Sequence, residues 1–97
     1  MPKGYWIAHA AVDAPEAYRA YVEGARPAFE EHGARFLARG GDFEEVEGAL
    51  ARPRNVLIEF PSMEAARACY RSDTYQAARA HRVPVSTASI TLVEGVE

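Results

Sequence analysis

The sequence predicts an α+β fold that runs strand, helix, strand, strand, helix, strand, and three observations carry that reading. Stretches whose apolar residues fall at every second position alternate with stretches in which they recur every three or four. Pro, Gly, Ser and Asp stand at most of the boundaries between them. The chain has 97 residues, one cysteine and no internal repeat or low-complexity tract, which predicts one small domain over residues 1–97.

Residues 4–12 read as the first strand, with Trp6, Ala8, Ala10 and Val12 on one face and Tyr5, Ile7, His9 and Ala11 on the other. Asp13, Pro15 and Glu16 then give a helix start: a capping carboxylate, a proline in the first turn and an acidic partner. In the helix, Tyr18, Tyr21, Val22, Ala25 and Phe29 make the apolar stripe, and Gly33 stops it in a left-handed conformation. Pro27 cannot donate to the carbonyl of Glu23, so it is expected to kink the helix or split it in two. Residues 34–39 form the second strand, broken at Gly40-Gly41 by a bulge or sharp bend and continued from Phe43 to Glu47. A loop over 48–53 leads to the clearest strand, 54–60, with Val56, Ile58 and Phe60 on one face and Leu57 and Glu59 on the other. Pro61-Ser62 opens the second helix, whose apolar side is Ala66, Cys69 and Tyr70. Ser72 or Asp73 recaps a further helical segment through Tyr75, Ala78 and His81, which Pro84 closes. Residues 87–93 are the last strand, Ala88, Ile90 and Leu92 alternating with Ser89, Thr91 and Val93.

This order is the split βαβ pattern of the ferredoxin-like sandwich, with both helices on one face of the sheet. The other face carries Tyr5, Ile7, Leu57 and Val93 with no element left in the chain to cover them. A domain this short leaves much apolar surface uncovered, so a homodimer pairing two sheets face to face is expected.

Composition narrows the function. With 11 basic and 14 acidic side chains the net charge is −3, which removes the electrostatic footprint of a dedicated nucleic-acid or anionic-membrane binder. Third-strand stacking aromatics are missing too: Val56, Leu57 and Ile58 stand where an RNA-recognition module of this topology would place them. No apolar run is long enough to span a membrane or act as a signal segment, and a lone Cys69 suits a reducing compartment, so a cytoplasmic location is expected. Phosphate-cradling glycine motifs, a nucleophile elbow and metal-ligand spacing among His9, His32 and His81 are all absent, and neither cofactor nor metal is expected.

The pattern Tyr5-Trp-Ile, Asp13-x-Pro-Glu-x-Tyr18, Phe36-Leu-Ala-Arg-Gly-Gly41, Glu47-Gly48, Val56-Leu-Ile-Glu-Phe-Pro-Ser62, Ala66-x-x-Cys-Tyr70-x-Ser72-x-x-Tyr75, Arg82 and Val93-Glu-Gly-Val96 resembles the domain-of-unknown-function family thirteen-thirty over essentially the whole chain. The resemblance implies a dimeric α/β barrel of ferredoxin-like protomers, in a superfamily that also holds cofactor-independent monooxygenases and small isomerases. It supplies no accepted substrate or catalytic residue. Cys69 is a departure, standing where many members carry tryptophan.

Cys69, on an alanine-rich helix face, reads as an inert core residue rather than a nucleophile. Tyr18 and Tyr21 read as core, while Tyr70 and Tyr75 flank a helix break where pockets open. His9 and Glu59 put polar groups on the otherwise apolar open face. Glu59 there requires a partner, for which Arg39, Arg35, Arg82 and His9 are the candidates. The expected function is a small-molecule pocket for a compact anionic or aromatic ligand beside Arg39, Tyr70, Tyr75 and Arg82. One alternative is a cofactor-independent oxygenase or isomerase with His9 or Glu59 as the base, and another is a structural or regulatory dimer without ligand.

Overall fold

Strand β1 (Gly4–Val12) is hydrogen-bonded on both edges, and this central place explains its apolar character. The computed structural model describes residues 2–96. After β1 come α1 (Pro15–Glu31), β2 (Arg35–Arg39), β3 (Arg54–Phe60), α2 (Met63–Arg71), α3 (Asp73–Arg82), one 3-10 turn (Val83–Val85) and β4 (Ser86–Glu94). The sheet order is β2-β3-β1-β4 with every pair antiparallel, and the helices lie on one face: an α+β ferredoxin-like fold.

The core forms where the inward faces of β1 and β3 meet the helices. Trp6, only 1% exposed, stands among Phe29, Phe60, Tyr70 and Tyr75 with ring centroids 5.2–5.8 Å away, and its indole Nε1 donates to the carbonyl of Ala66 at 2.9 Å. Two serines start the later helices: Ser62 Oγ accepts from the amide of Ala65 at 3.0 Å and Ser72 Oγ from that of Tyr75 at 3.1 Å. Gly33 ends α1 at φ 75°, as expected.

Three local expectations are corrected. The carboxylate of Asp13 does not cap α1: Ala14 is the N-cap without a side-chain bond, and the Asp13 amide instead donates to Val85 O at 2.8 Å, tying the end of β1 to the turn before β4. Of the kink or split expected at Pro27, the split does not occur: α1 runs unbroken over 17 residues. Both Pro27 and Glu23 face solvent, where water can take the carbonyl that the ring leaves free. Phe43 to Glu47 is not a strand. The last rung of the β2 edge is Gly40 N–H to Asn55 O at 2.8 Å, and β3 begins at Arg54, so a strand beyond Gly41 would have nothing to pair with. The segment is instead an exposed loop, braced by the Leu50 amide donating to Glu45 Oε2 at 2.6 Å.

Cys69 is fully buried, with Sγ 3.6 Å from Ala28 O, and burial, reinforced by Glu31, pushes its thiol up to about 12. It is expected to resist a thiol reagent at pH 7.5 in the native protein and to react quickly in denaturant. Because the folded value lies above the ordinary 9.0, its contribution to stability is complete below pH 9 and is lost as pH climbs toward 12. Rapid native labelling would show that the thiol is reachable and ionised.

Candidate functional site

Register explains why there is a cavity. On the helix-covered face, Arg54, Ala10 and Ala88 form one cross-strand row, Arg39, Val56, Ala8 and Ile90 the next, and Phe36, Ile58, Trp6 and Leu92 a third. The third row fills its space with large side chains. The first two rows present alanine methyls at Ala8, Ala10 and Ala88, and leave a gap beneath Tyr18, Tyr21 and Val22 of α1. The gap is a cavity of about 50 Å³, enough for a few atoms beyond a water. At one end it adjoins an open mouth of about 610 Å³ walled by Arg54, Gly40 and Phe43, and at the other a groove of about 310 Å³ between α3 and β4.

A β-bulge brings Arg39 to this cavity. Phe36 pairs with Ile58, but Ala38 pairs with Leu57 and Arg39 with Val56, so Leu37 is the extra residue and parity flips behind it. Arg39 therefore shares the cavity side with Phe36 and stacks its guanidinium 4.1 Å from that ring's centroid. Arg54, which sequence reasoning missed, also lines the cavity; it has the same strand parity as Val56, Ile58 and Phe60, the signal that could have found it. Arg82 is 7% exposed, donates through Nη2 to Tyr75 Oη at 3.3 Å and lies 5.3 Å from the Tyr21 ring centroid. Burial penalises its charge, but the Tyr75 and Tyr21 phenols outweigh that penalty and the guanidinium stays protonated.

The Tyr21 and Tyr75 hydroxyls share a hydrogen bond of 3.0 Å. Burial raises the Tyr21 phenol well above its ordinary value, with Tyr75 adding to the effect, and burial raises Tyr18 against the pull of Arg54 and Arg82. At neutral pH the Tyr18 and Tyr21 phenols keep their protons. Three guanidinium groups thus line one cavity with no carboxylate or imidazole among its walls, and none of the three is in an ion pair among the described residues. Among the described residues no group of three or more His, Cys, Asp or Glu is placed to hold a metal.

Of the residues singled out in the sequence, Arg39 and Arg82 meet at this cavity, while Tyr75 is wholly buried beside it and Tyr70 lines the groove. His9 and Glu59 lie on the opposite face of the sheet with Ile7 and Leu57. The partners of Glu59 are residues not foreseen: Tyr5 donates to Oε2 at 3.2 Å from the facing strand position, and Lys3 Nζ to Oε1 at 3.3 Å. The Lys3 side chain is 54% exposed, so its pair with Glu59 is screened by water and adds little stability.

A family model described as a domain of unknown function (DUF1330) matches residues 3–96. The structure is similar to that of a protein of unknown function from Rhodopseudomonas palustris, at 19% identity and TM-score 0.78 over 99% of this chain and 84% of that one. It is also similar to a dimeric ferredoxin-like protein of unknown function from Jannaschia sp. CCS1 (17% identity, TM-score 0.64, 95% and 98% of the two chains). A third similar structure is that of SnoaB, a cofactor-independent oxygenase from Streptomyces nogalater (13% identity, TM-score 0.67, 100% and 96%). At these identities the likeness extends to the fold alone. No functionally curated protein matches the sequence. Among the described residues no helix is long and apolar enough to cross a membrane.

Proposed function

The chain belongs to the DUF1330 family, a domain of unknown function, and for this member we propose a homodimer that binds a compact anion at the cavity between α1 and the sheet, with the anion's planar apolar body in the adjoining mouth. The observation that carries the reading is Arg82, a buried cation with no counter-charge in a cavity that also holds Arg39 and Arg54 and no acid. An uncompensated buried charge costs several kcal/mol, and a bound carboxylate or phenolate would offset it. The alanine floor and the tyrosine roof favour a flat body. The oxygenase or isomerase alternative needs a base, and none lines this cavity.

Titration calorimetry with benzoate and its neutral isostere benzamide tests the proposal. Benzoate is expected to bind at least about tenfold more tightly, the worth of one charge-assisted contact. Equal affinities, or no binding by either, would overturn the anion pocket.

Two glycines give a sharper version. Gly40 and Gly48 both have positive φ, 68° and 81°, so alanine strains either by about 1 kcal/mol. A Cβ at Gly48 would meet nothing, whereas one at Gly40 would collide with the guanidinium of Arg54. Gly40→Ala and Gly48→Ala are expected to lose similar stability, while only Gly40→Ala weakens benzoate, by about tenfold. Equal benzoate affinity in the two variants would remove Arg54 from the site.

The dimer would cover the open face of the sheet, where Ile7 and Val93 remain 38% and 42% exposed. The dimeric protein from Jannaschia shares this fold, which supports that assembly.

A further inference from the structure

We propose that Tyr21 orients the bound anion: its hydroxyl donates into the cavity to one of the anion's oxygens, and Tyr75, held in turn by Arg82, fixes that direction without touching the ligand. This rests on the reading that the cavity takes an anion. Three donors stand in line. Arg82 Nη2 donates to Tyr75 Oη at 3.3 Å, and the Tyr75 and Tyr21 hydroxyl oxygens lie 3.0 Å apart, which suits either as the donor. Tyr75 is wholly buried, so water cannot take its proton, and among the described residues no acceptor other than the Tyr21 oxygen lies within hydrogen-bond distance of its hydroxyl. A guanidinium has no lone pair with which to accept. If Tyr21 were the donor, Tyr75 would accept twice and keep a buried proton with no acceptor, a state that native proteins rarely leave. The order that meets both buried donors is therefore Arg82 to Tyr75 to Tyr21.

That order leaves one proton over. The Tyr21 oxygen accepts from Tyr75, and because a phenol hydrogen lies in the plane of its ring, the Tyr21 proton turns to the other side. Tyr21 is partly buried and lines the cavity, and among the described residues no acceptor besides Tyr75 lies within hydrogen-bond distance of its hydroxyl. The cavity walls offer no carboxylate or imidazole, and the guanidinium groups of Arg39, Arg54 and Arg82 are donors themselves. The acceptor is thus a molecule that enters the cavity. A space of about 50 Å³ takes the oxygens of a carboxylate, while the mouth, which shares Tyr18, Val22 and Arg54 with it, takes the body behind them. Tyr21 lines the cavity and not the mouth, so it meets the head of the ligand rather than its body. Burial keeps the Tyr21 phenol protonated far above neutral pH, and the charge of Arg82 at the start of the chain polarises each bond that follows. A donor aimed in this way selects a group with oxygens and no proton of its own, a carboxylate.

Titration calorimetry with benzoate on Tyr21→Phe, Tyr75→Phe and the double variant tests the assignment. Each substitution keeps the ring and removes one oxygen. Tyr21→Phe is expected to weaken benzoate about tenfold, the worth of a hydrogen bond to a charged group. Tyr75→Phe should weaken it about threefold by freeing the Tyr21 hydroxyl to rotate, and the double variant should bind no worse than Tyr21→Phe, because Tyr75 acts only through Tyr21. Losses that multiply in the double variant would overturn the positioning role of Tyr75. If Tyr75→Phe does not fold, the infrared carboxylate band of isotope-labelled benzoate at saturation decides: it should differ between the unsubstituted protein and Tyr21→Phe, and an identical band would remove the hydrogen bond. If the unsubstituted protein and Tyr21→Phe bind benzoate equally, Tyr21 is refuted and the anion pocket stands. If benzoate does not bind the unsubstituted protein, both fall.

Discussion

Trp6→Ala is expected to destabilise the protein by about 3–5 kcal/mol, the cost of losing a large buried aromatic together with the cavity it leaves. A domain of this length has total stability on the order of 5–15 kcal/mol, so the variant would be marginal or unfolded near 37 °C. The effect is this large because Trp6 is the shared neighbour of β1, β3, α1, α2 and α3: it contacts Phe60, Phe29, Tyr70 and Tyr75 and ties its indole N–H to Ala66 O. No smaller set of side chains can close over the space, since the adjoining rows on β1 already end in Ala8 and Ala10. Trp6→Phe keeps most ring contacts and loses the hydrogen bond, so about 1–2 kcal/mol is expected for it. Urea melts of the two variants check the order. A Trp6→Ala midpoint within a few tenths molar of the unsubstituted protein would mean that the core is organised around another residue.

The parts of this fold that follow from local chemistry were legible in the sequence. Alternation sets strand 54–60 to the residue, and Gly33 and Ser72 mark a helix stop and start because the backbone at those points requires what glycine and serine provide. Pairing across strands was not legible. Parity from Phe36 puts Arg39 on the open face beside Glu59, and only the extra residue at Leu37 turns it into the cavity. The Tyr5–Glu59 contact depends in the same way on a register between segments more than 50 residues apart. The cavity itself is a consequence of three alanines lying side by side on neighbouring strands, which no single strand reveals. Tyr70 and Tyr75 stand out in the sequence because they flank the α2–α3 break, and the structure gathers them with Arg82 near the groove or the buried cluster.

Leu57→Glu is expected to convert the proposed homodimer to a folded monomer. The chain exposes 6228 Å², whereas a compact monomer of its 10.7 kDa mass exposes about 5,500 Å². The excess, about 700 Å², is close to the roughly 800 Å² that each partner buries in a standard interface. The molecule measures 37 × 35 × 16 Å, a slab with helices on one side and Tyr5, Ile7, Leu57 and Val93 on the other. Leu57 pairs directly with Ile7 in the middle of that sheet, so a two-fold arrangement brings both copies of the new carboxylate into the interface. Glu59 cannot help them: it is a like charge two residues away, and its own oxygens already accept from Tyr5 and Lys3. Two unpaired carboxylates in a dry interface should weaken association at least about a hundredfold. Within one chain Leu57 is only partly buried, so the circular dichroism spectrum should be unchanged. Light scattering at micromolar concentration should give twice the 10.7 kDa chain mass for the unsubstituted protein and for Val46→Glu, whose site is 84% exposed in the loop, but the single-chain mass for Leu57→Glu. A Leu57→Glu dimer as stable as that of Val46→Glu would mean that this face of the sheet is not where two chains meet.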